Sequence, residues 1–282
     1  MPAISTALSS PEHRPSLEGK TVVIADDDPV ILDYLELRCR HLGLKVETAS
    51  DGLRAVLKVG KARPDLLILD LNLPDVEGFR VVERLSDPKF DPVPVIILTG
   101  RSDHASKQRC EDLNVYYVHK STETWADIEP LIYEILASKP GEPRLELPPE
   151  PAIAPLVLVV DNKPDVLAEL TQRLQKYQLN VMQASGGTQG FLLALRSKPD
   201  LIITEYDMEG GSGHYLLSRV KGSPSTQHIP VIVYTGTTLS KGEEFAIQRD
   251  LRGRGQAAAF LKKSANSADL MAEVRKLIPL PG

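Results

Sequence analysis

Asp26, Asp27, Asp70, Thr99 and Lys120 are the residues of this chain best placed for chemistry, since each ends or directly follows a short apolar run. The runs are "TVVIA" before the first two aspartates, "DLLIL" before Asp70, "PVIIL" before Thr99 and "VYYV" just before Lys120. Three carboxylates drawn together repel, and a hard divalent cation with oxygen ligands resolves that repulsion. A lysine and a hydroxyl opposite them suit the oxygens of a transferred phosphoryl group. The set reads as a carboxylate nucleophile, a magnesium ion and an electrostatic clamp.

Convergence of those residues requires particular elements. Runs such as "LLIL" are apolar on both faces, as a parallel sheet covered by helices on each side demands. The run "LKVETA" supplies one more strand. "PVILDYLELRCRHLG" places Ile31, Leu35 and Leu42 on one helical stripe and closes at Gly43, with Asp28 as the expected cap before Pro29. Five strands alternating with five helices predict an α/β unit, doubly wound around a central parallel five-stranded sheet. In such sheets ligands bind beyond the carboxyl ends of the strands, where these five side chains fall.

The unit occurs twice. "PDLLILDLNLPDVEG" (64–78) aligns without a gap on "PDLIITEYDMEGGSG" (199–213), and "TVVIADDDPVIL" aligns on "LVLVVDNKPDVL". Asp161, Asn162, Glu205, Thr235 and Lys263 thereby match Asp26, Asp27, Asp70, Thr99 and Lys120. The offset is 135 residues at the acids, 136 at the threonines and 143 at the lysines, which locates the one sizeable insertion around "LRGRGQ". Between the copies, "KPGEPRLELPPEPAIAP" holds six prolines and reads as an extended spacer. The expected layout is a flexible tail (1–18), a first domain (19–138), a linker (139–154) and a second domain (155–282).

An aspartate pair, a lone aspartate, a threonine and a lysine in this order resemble the receiver domain of two-component response regulators, across nearly all of both copies. The resemblance implies a flavodoxin-like fold and transfer of phosphate from a histidine kinase or phosphotransfer protein. It implies Asp70 as acceptor and Asp26, Asp27, Asp70 and the Asn72 backbone carbonyl around Mg2+. Thr99 and Lys120 would contact the phosphoryl group, and Tyr117 would be either the family's aromatic switch or a plain core aromatic. Pro74 and Gly78 fit the loop after the acceptor. The family usually follows its lysine with a cis-linked proline, whereas Ser121 and Ser264 stand here. A cis bond before serine costs about 2.5–4 kcal/mol, so a trans bond or local strain is expected.

The second copy departs at its centre. In-line transfer tolerates little misplacement, and an error of about 1 Å costs on the order of 100-fold. Glu205 is one methylene longer than aspartate, Asn162 removes a charge, and Glu209 stands where the first copy has Pro74. The copy therefore reads as a degenerate pseudo-receiver. Its Glu205 either reaches Thr235 and Lys263 and holds an active-like state, or is a relic in a docking or dimerisation module; the relic is the expectation.

A net charge of −5 and 5% aromatic content disfavour a nucleic-acid surface. No apolar run is long enough to span a membrane and no export signal is evident, so a cytoplasmic protein is expected. Cys39 and Cys110 lack metal or redox spacing. "GGSG" (210–213) reads as a flexible turn, His119 as facing away from the pocket, and Arg249, Arg252 and Arg254 as a solvated face. The expected function is phosphate acceptance with output through a downstream protein partner or a homodimer, in a chain that is no enzyme. One alternative is the N-terminal receiver portion of a longer effector protein. Another is a magnesium-dependent phosphatase of the haloacid dehalogenase type, although that class needs D-x-D after strand one and the acceptor here reads "DLN" after strand three.

Overall fold

A computed structural model describes residues 15–101, 103–137, 154–208, 212–236, 257–263 and 268–280. Domain 1 comprises β1 (Thr21–Ala25), α1 (Pro29–His41), β2 (Lys45–Ala49), α2 (Gly52–Ala62), β3 (Leu66–Leu69), α3 (Gly78–Leu85), β4 (Val95–Thr99), α4 (His104–Asp112), β5 (Tyr116–His119) and α5 (Thr124–Leu136). Domain 2 comprises β6 (Leu156–Val160), α6 (Pro164–Gln175), β7 (Asn180–Ala184), α7 (Gly187–Ser197), β8 (Leu201–Thr204), α8 (Gly213–Gly222), β9 (Val231–Thr235), β10 (Ala259–Lys262) and α9 (Ala268–Leu277). The strand orders are β2-β1-β3-β4-β5 and β7-β6-β8-β9-β10, with every pairing parallel. Both domains are thus the expected flavodoxin-like α/β units.

The local rules explain the elements. β3 and β4 are buried at every position because helices cover both faces, while β2, at a sheet edge, is half solvated. Asp28 caps α1 by accepting from the Val30 amide at 2.8 Å, and Gly43 takes φ +85° just beyond the helix. α2 and α7 end alike on a left-handed residue, Arg63 (φ 45°) and Lys198 (φ 47°), at equivalent positions of the repeat.

Apolar packing fills one side of each sheet separately, around Phe79, Val81 and Ile97 in domain 1 and around Leu174, Ile203 and Val274 in domain 2. A third cluster is shared between the domains and joins Ile128, Leu131 and Ile132 of α5 to Phe191, Leu192 and Leu195 of α7. The tail assignment needs a correction at its end. Leu17 is buried and its carbonyl accepts from the Lys20 amide at 3.1 Å, so the packed domain starts before residue 19. Residues 1–14, residues 138–153 with all of the expected linker but its last position, Glu209, the glycines at 210 and 211, the arginines at 249, 252 and 254, and Ser264 lie outside the described residues.

Candidate functional site

Strand register assembles the first pocket. Ala25 pairs with Leu69, so the next residues, Asp26 and Asp70, stand side by side, and the Asp70 amide donates to the Ala25 carbonyl at 2.8 Å. Thr99 pairs with His119, which brings Lys120 just past Thr99. Lys120 Nζ lies 2.6 Å from Asp26 Oδ2 and 2.7 Å from Asp70 Oδ2. Oxygens of Asp26, Asp27 and Asp70 all fall within 4.8 Å of one another. Asp26 and Asp70 are buried and Asp27 is exposed, so the cluster has one open side.

Electrostatics follow from that crowding. Burial pushes the Asp26 carboxyl above its ordinary value, aided by the Asp70 charge and opposed by bonds from Lys120 and the Asp28 amide. Burial pulls the other way on Lys120, but the two aspartates outweigh it and hold its ammonium above the ordinary lysine value. Three hard oxygen donors with an open side and excess negative charge fit a divalent cation such as Mg2+.

The loop after β3 is held close. A Cβ at Gly78 would lie 2.4 Å from the Asp70 carbonyl oxygen, so only glycine lets the chain return there. Asn72 is exposed, and its amide donates to Asp70 Oδ1 at 3.1 Å. The Lys120 loop closes without cis geometry, since no described peptide bond is cis. Instead the Ser121 amide donates to Thr124 Oγ1, whose hydroxyl donates to the Ser121 carbonyl, both at 2.7 Å.

Thr99 and Tyr117 are linked through a residue without a sequence signal. The Thr99 hydroxyl accepts from the Arg101 amide at 3.3 Å, and the buried Tyr117 hydroxyl donates to the Arg101 carbonyl. His119 is exposed.

The second pocket has the same register, with Val160 opposite Thr204 and Thr235 opposite Lys262, and a different content. Lys263 Nζ lies 2.7 Å from Glu205 Oε2 and is also paired with Asp161. The longer carboxylate reaches further than Asp70 does: Oε2 accepts from the Gly236 amide at 3.2 Å and Oε1 from the Tyr206 amide at 2.7 Å. The Thr235 hydroxyl also bonds to Glu205. Burial opposes the Glu205 charge, yet Lys263 and Thr235 together hold its carboxyl below the ordinary glutamate value. Asn162 Oδ1 is buried without a hydrogen-bond partner. The glutamate therefore fills, with its own carboxylate, the space between Thr235, Gly236 and Lys263.

Comparison with known proteins places this geometry. The family model described as "Response regulator receiver domain" matches residues 22–125 and again 157–275, and the chain belongs to that family. It is 35% identical over 81 residues to the probable transcriptional regulatory protein TcrX of Mycobacterium tuberculosis, covering 29% of this chain and 34% of that protein. It is 39% identical over 80 residues to the DNA-binding dual master transcriptional regulator RpaA of a Synechocystis strain, covering 28% and 33%. The chain thus spans about a third of the length of those relatives. Among solved structures, the chemotaxis response regulator CheY4 of Vibrio cholerae is 27% identical, covers 40% of this chain and 98% of its own, and gives a TM-score of 0.37. No helix among the described residues is long and apolar enough to cross a membrane.

Proposed function

We propose that this chain takes a phosphoryl group on Asp70 from a phosphohistidine of a histidine kinase or phosphotransfer protein, and signals through protein contacts. Domain 2 takes no phosphate and acts as a docking or dimerisation adaptor. The observation that carries this reading is the convergence of Asp26, Asp27 and Asp70 with Lys120 in domain 1, set against the filled pocket of domain 2.

In the transfer, an Asp70 carboxylate oxygen forms the new P–O bond as the donor's P–N bond breaks, and that electron pair returns to the imidazole ring. Burial and the Asn72 amide fix the carboxylate, so little reorientation is needed at the moment of transfer. Lys120, already on Asp70, is positioned to neutralise a phosphoryl oxygen, and the Thr99 hydroxyl can turn from the Arg101 amide to donate to another. Mg2+ held by Asp26, Asp27, Asp70 and the Asn72 carbonyl would supply Lewis-acid charge neutralisation. In domain 2, Glu205 is a methylene too long and is already bonded to the groups that would receive the phosphoryl oxygens.

On this reading the chain is a phosphoacceptor and no enzyme beyond handling its own phosphate. Incubation with acetyl phosphate and magnesium, followed by intact-mass and peptide analysis, should add one phosphoryl group, on Asp70, and none after Asp70→Asn. Label retained by that variant would sink the assignment. Sustained turnover of a generic phosphomonoester would instead favour a phosphatase.

A further inference from the structure

The face of domain 1 built from α4, β5 and α5 is covered by α7 and α8 of domain 2. The Arg219 guanidinium lies 4.2 Å from the Tyr116 ring centroid and donates to the Val115 carbonyl at 2.9 Å. The Tyr116 ring stacks against Phe191 at 6.4 Å. Ser212, which caps α8, donates from its amide and hydroxyl to Glu111 at 3.1 and 3.2 Å. Arg196 lies 3.3 Å from Asp127 and 3.5 Å from Glu123, and Ser225 bonds to Glu134. Burial pushes both the Glu111 and the Asp127 carboxyls up, as expected of acids drawn into a seam.

This cover meets the first pocket's own loops. Tyr117, bonded to Arg101 and through it to Thr99, lines a cleft of about 390 Å3 whose opposite wall is Gly186, Gln189, Leu192 and Arg196 of domain 2. Ser121 and Glu123, one and three residues past Lys120, line the same cleft. A phosphoryl group on Asp70 that recruits the Thr99 hydroxyl and shifts Lys120 from the Asp70 carboxylate to a phosphoryl oxygen therefore acts on two segments that touch domain 2.

The pairing is particular to domain 2. Domain 1 has the same α2–α3 face, with Arg84 where domain 2 has Arg219, yet Val56 replaces Phe191 and Phe90 replaces Ser225. That face is open, with Leu53 and Leu57 62% and 64% exposed.

We infer that domain 2 is the resident intramolecular ligand of the Tyr116 face of domain 1, and that loading Asp70 loosens it, freeing that face for an external partner. The docking half stands on the contacts alone; the release half rests on the function proposed above. A partner of that face must present what domain 2 presents, a cationic guanidinium beside an apolar aromatic surface, and must displace it.

Hydrogen exchange read by mass spectrometry on the full chain tests both halves. Without any phosphoryl donor, Arg219→Ala should speed exchange about tenfold in the segments 113–119 and 187–197, since one stacked, hydrogen-bonded arginine is lost. Arg219→Lys should give an intermediate effect, because charge remains without the planar fork. Unchanged exchange in Arg219→Ala would overturn the docking. Beryllofluoride with magnesium should then speed exchange in 187–197 of the parent chain and leave Asp70→Asn unaffected. That segment is diagnostic because it lies in the domain that binds no beryllofluoride. Unchanged exchange there, with bound beryllofluoride visible by fluorine NMR, would overturn the release. A fluorine spectrum without bound signal would instead count against Asp70 as acceptor.

Discussion

Asp27→Asn gives domain 1 the side chain that domain 2 carries at the equivalent position, Asn162, and so isolates a single charge. Three carboxylates against one ammonium leave a formal charge of −2 in the first pocket. Two carboxylates against one ammonium leave −1 in the second. A divalent cation about 4 Å from one unit charge gains roughly 2 kcal/mol in bulk water and roughly 8 kcal/mol at an effective dielectric of about 20. Asp27 is exposed, so the smaller figure applies. At about 1.4 kcal/mol per factor of ten, the variant should bind Mg2+ about 30-fold more weakly. Asp27 caps no helix and fills no core, so the fold should survive the change. Calorimetric titration of Mg2+ into the full chain at low ionic strength reads this directly. Low salt matters because an exposed charge is readily screened. The double change Asn162→Asp with Glu205→Asp should give domain 2 measurable binding. A loss below about threefold in Asp27→Asn, under about 0.7 kcal/mol, would refute the assignment of Asp27 to the metal.

Two further changes address the half-buried lysines. Lys120→Ala strands two carboxylates that are 1% and 3% exposed, at a cost of about 3–5 kcal/mol in urea unfolding. The Asp26 carboxyl is already raised in the folded state, so protonation there favours folding, and the deficit should shrink as pH falls through that value. Glu205→Gln removes a charge-assisted bond to Lys263 and should cost about 1.5–3 kcal/mol at neutral pH. Because the Glu205 pKa is lowered by folding, its contribution is present above the ordinary glutamate range and lost in acid, where parent and variant should converge.

Much of the first pocket was legible because a parallel sheet makes it so. Strands buried on both faces leave apolar runs without alternation, and the polar residue that breaks each run marks its carboxyl end. Asp26, Asp70, Thr99 and Lys120 were found in this way, and register then brings them together without further information. Backbone partners left no such mark. The Gly236 amide that meets Glu205, and the Arg101 backbone that joins Thr99 to Tyr117, are offered by any residue at those positions. The domain contact was hidden for a different reason. Tyr116 and Arg219 are ordinary in their own elements and acquire meaning only when paired about a hundred residues apart. Leu17 was missed because a single apolar residue in a Pro/Ser-rich tail has no periodicity to expose it.

The two copies have diverged along complementary lines. Domain 1 keeps an under-neutralised acid cluster that a divalent cation would balance, and a phosphoryl group introduced with that cation has the Thr99 hydroxyl to recruit and, through Arg101, a tyrosine at the domain seam to move. Domain 2 has met the same demand internally, since Glu205 brings a carboxylate to Lys263, Thr235 and Gly236 without any transfer. A pocket satisfied by its own side chain has less reason to rearrange, and a surface built on it is preorganised for binding. In the proposed docking, one partner changes with phosphorylation while the other stays fixed. The change in affinity then equals the difference between two states of domain 1 alone, which is the condition under which a ligand's differential binding drives a two-state shift. On the proposed function, the extra methylene of Glu205 removes a phosphate site and, by the same bonds, makes its domain a constant against which the first can switch.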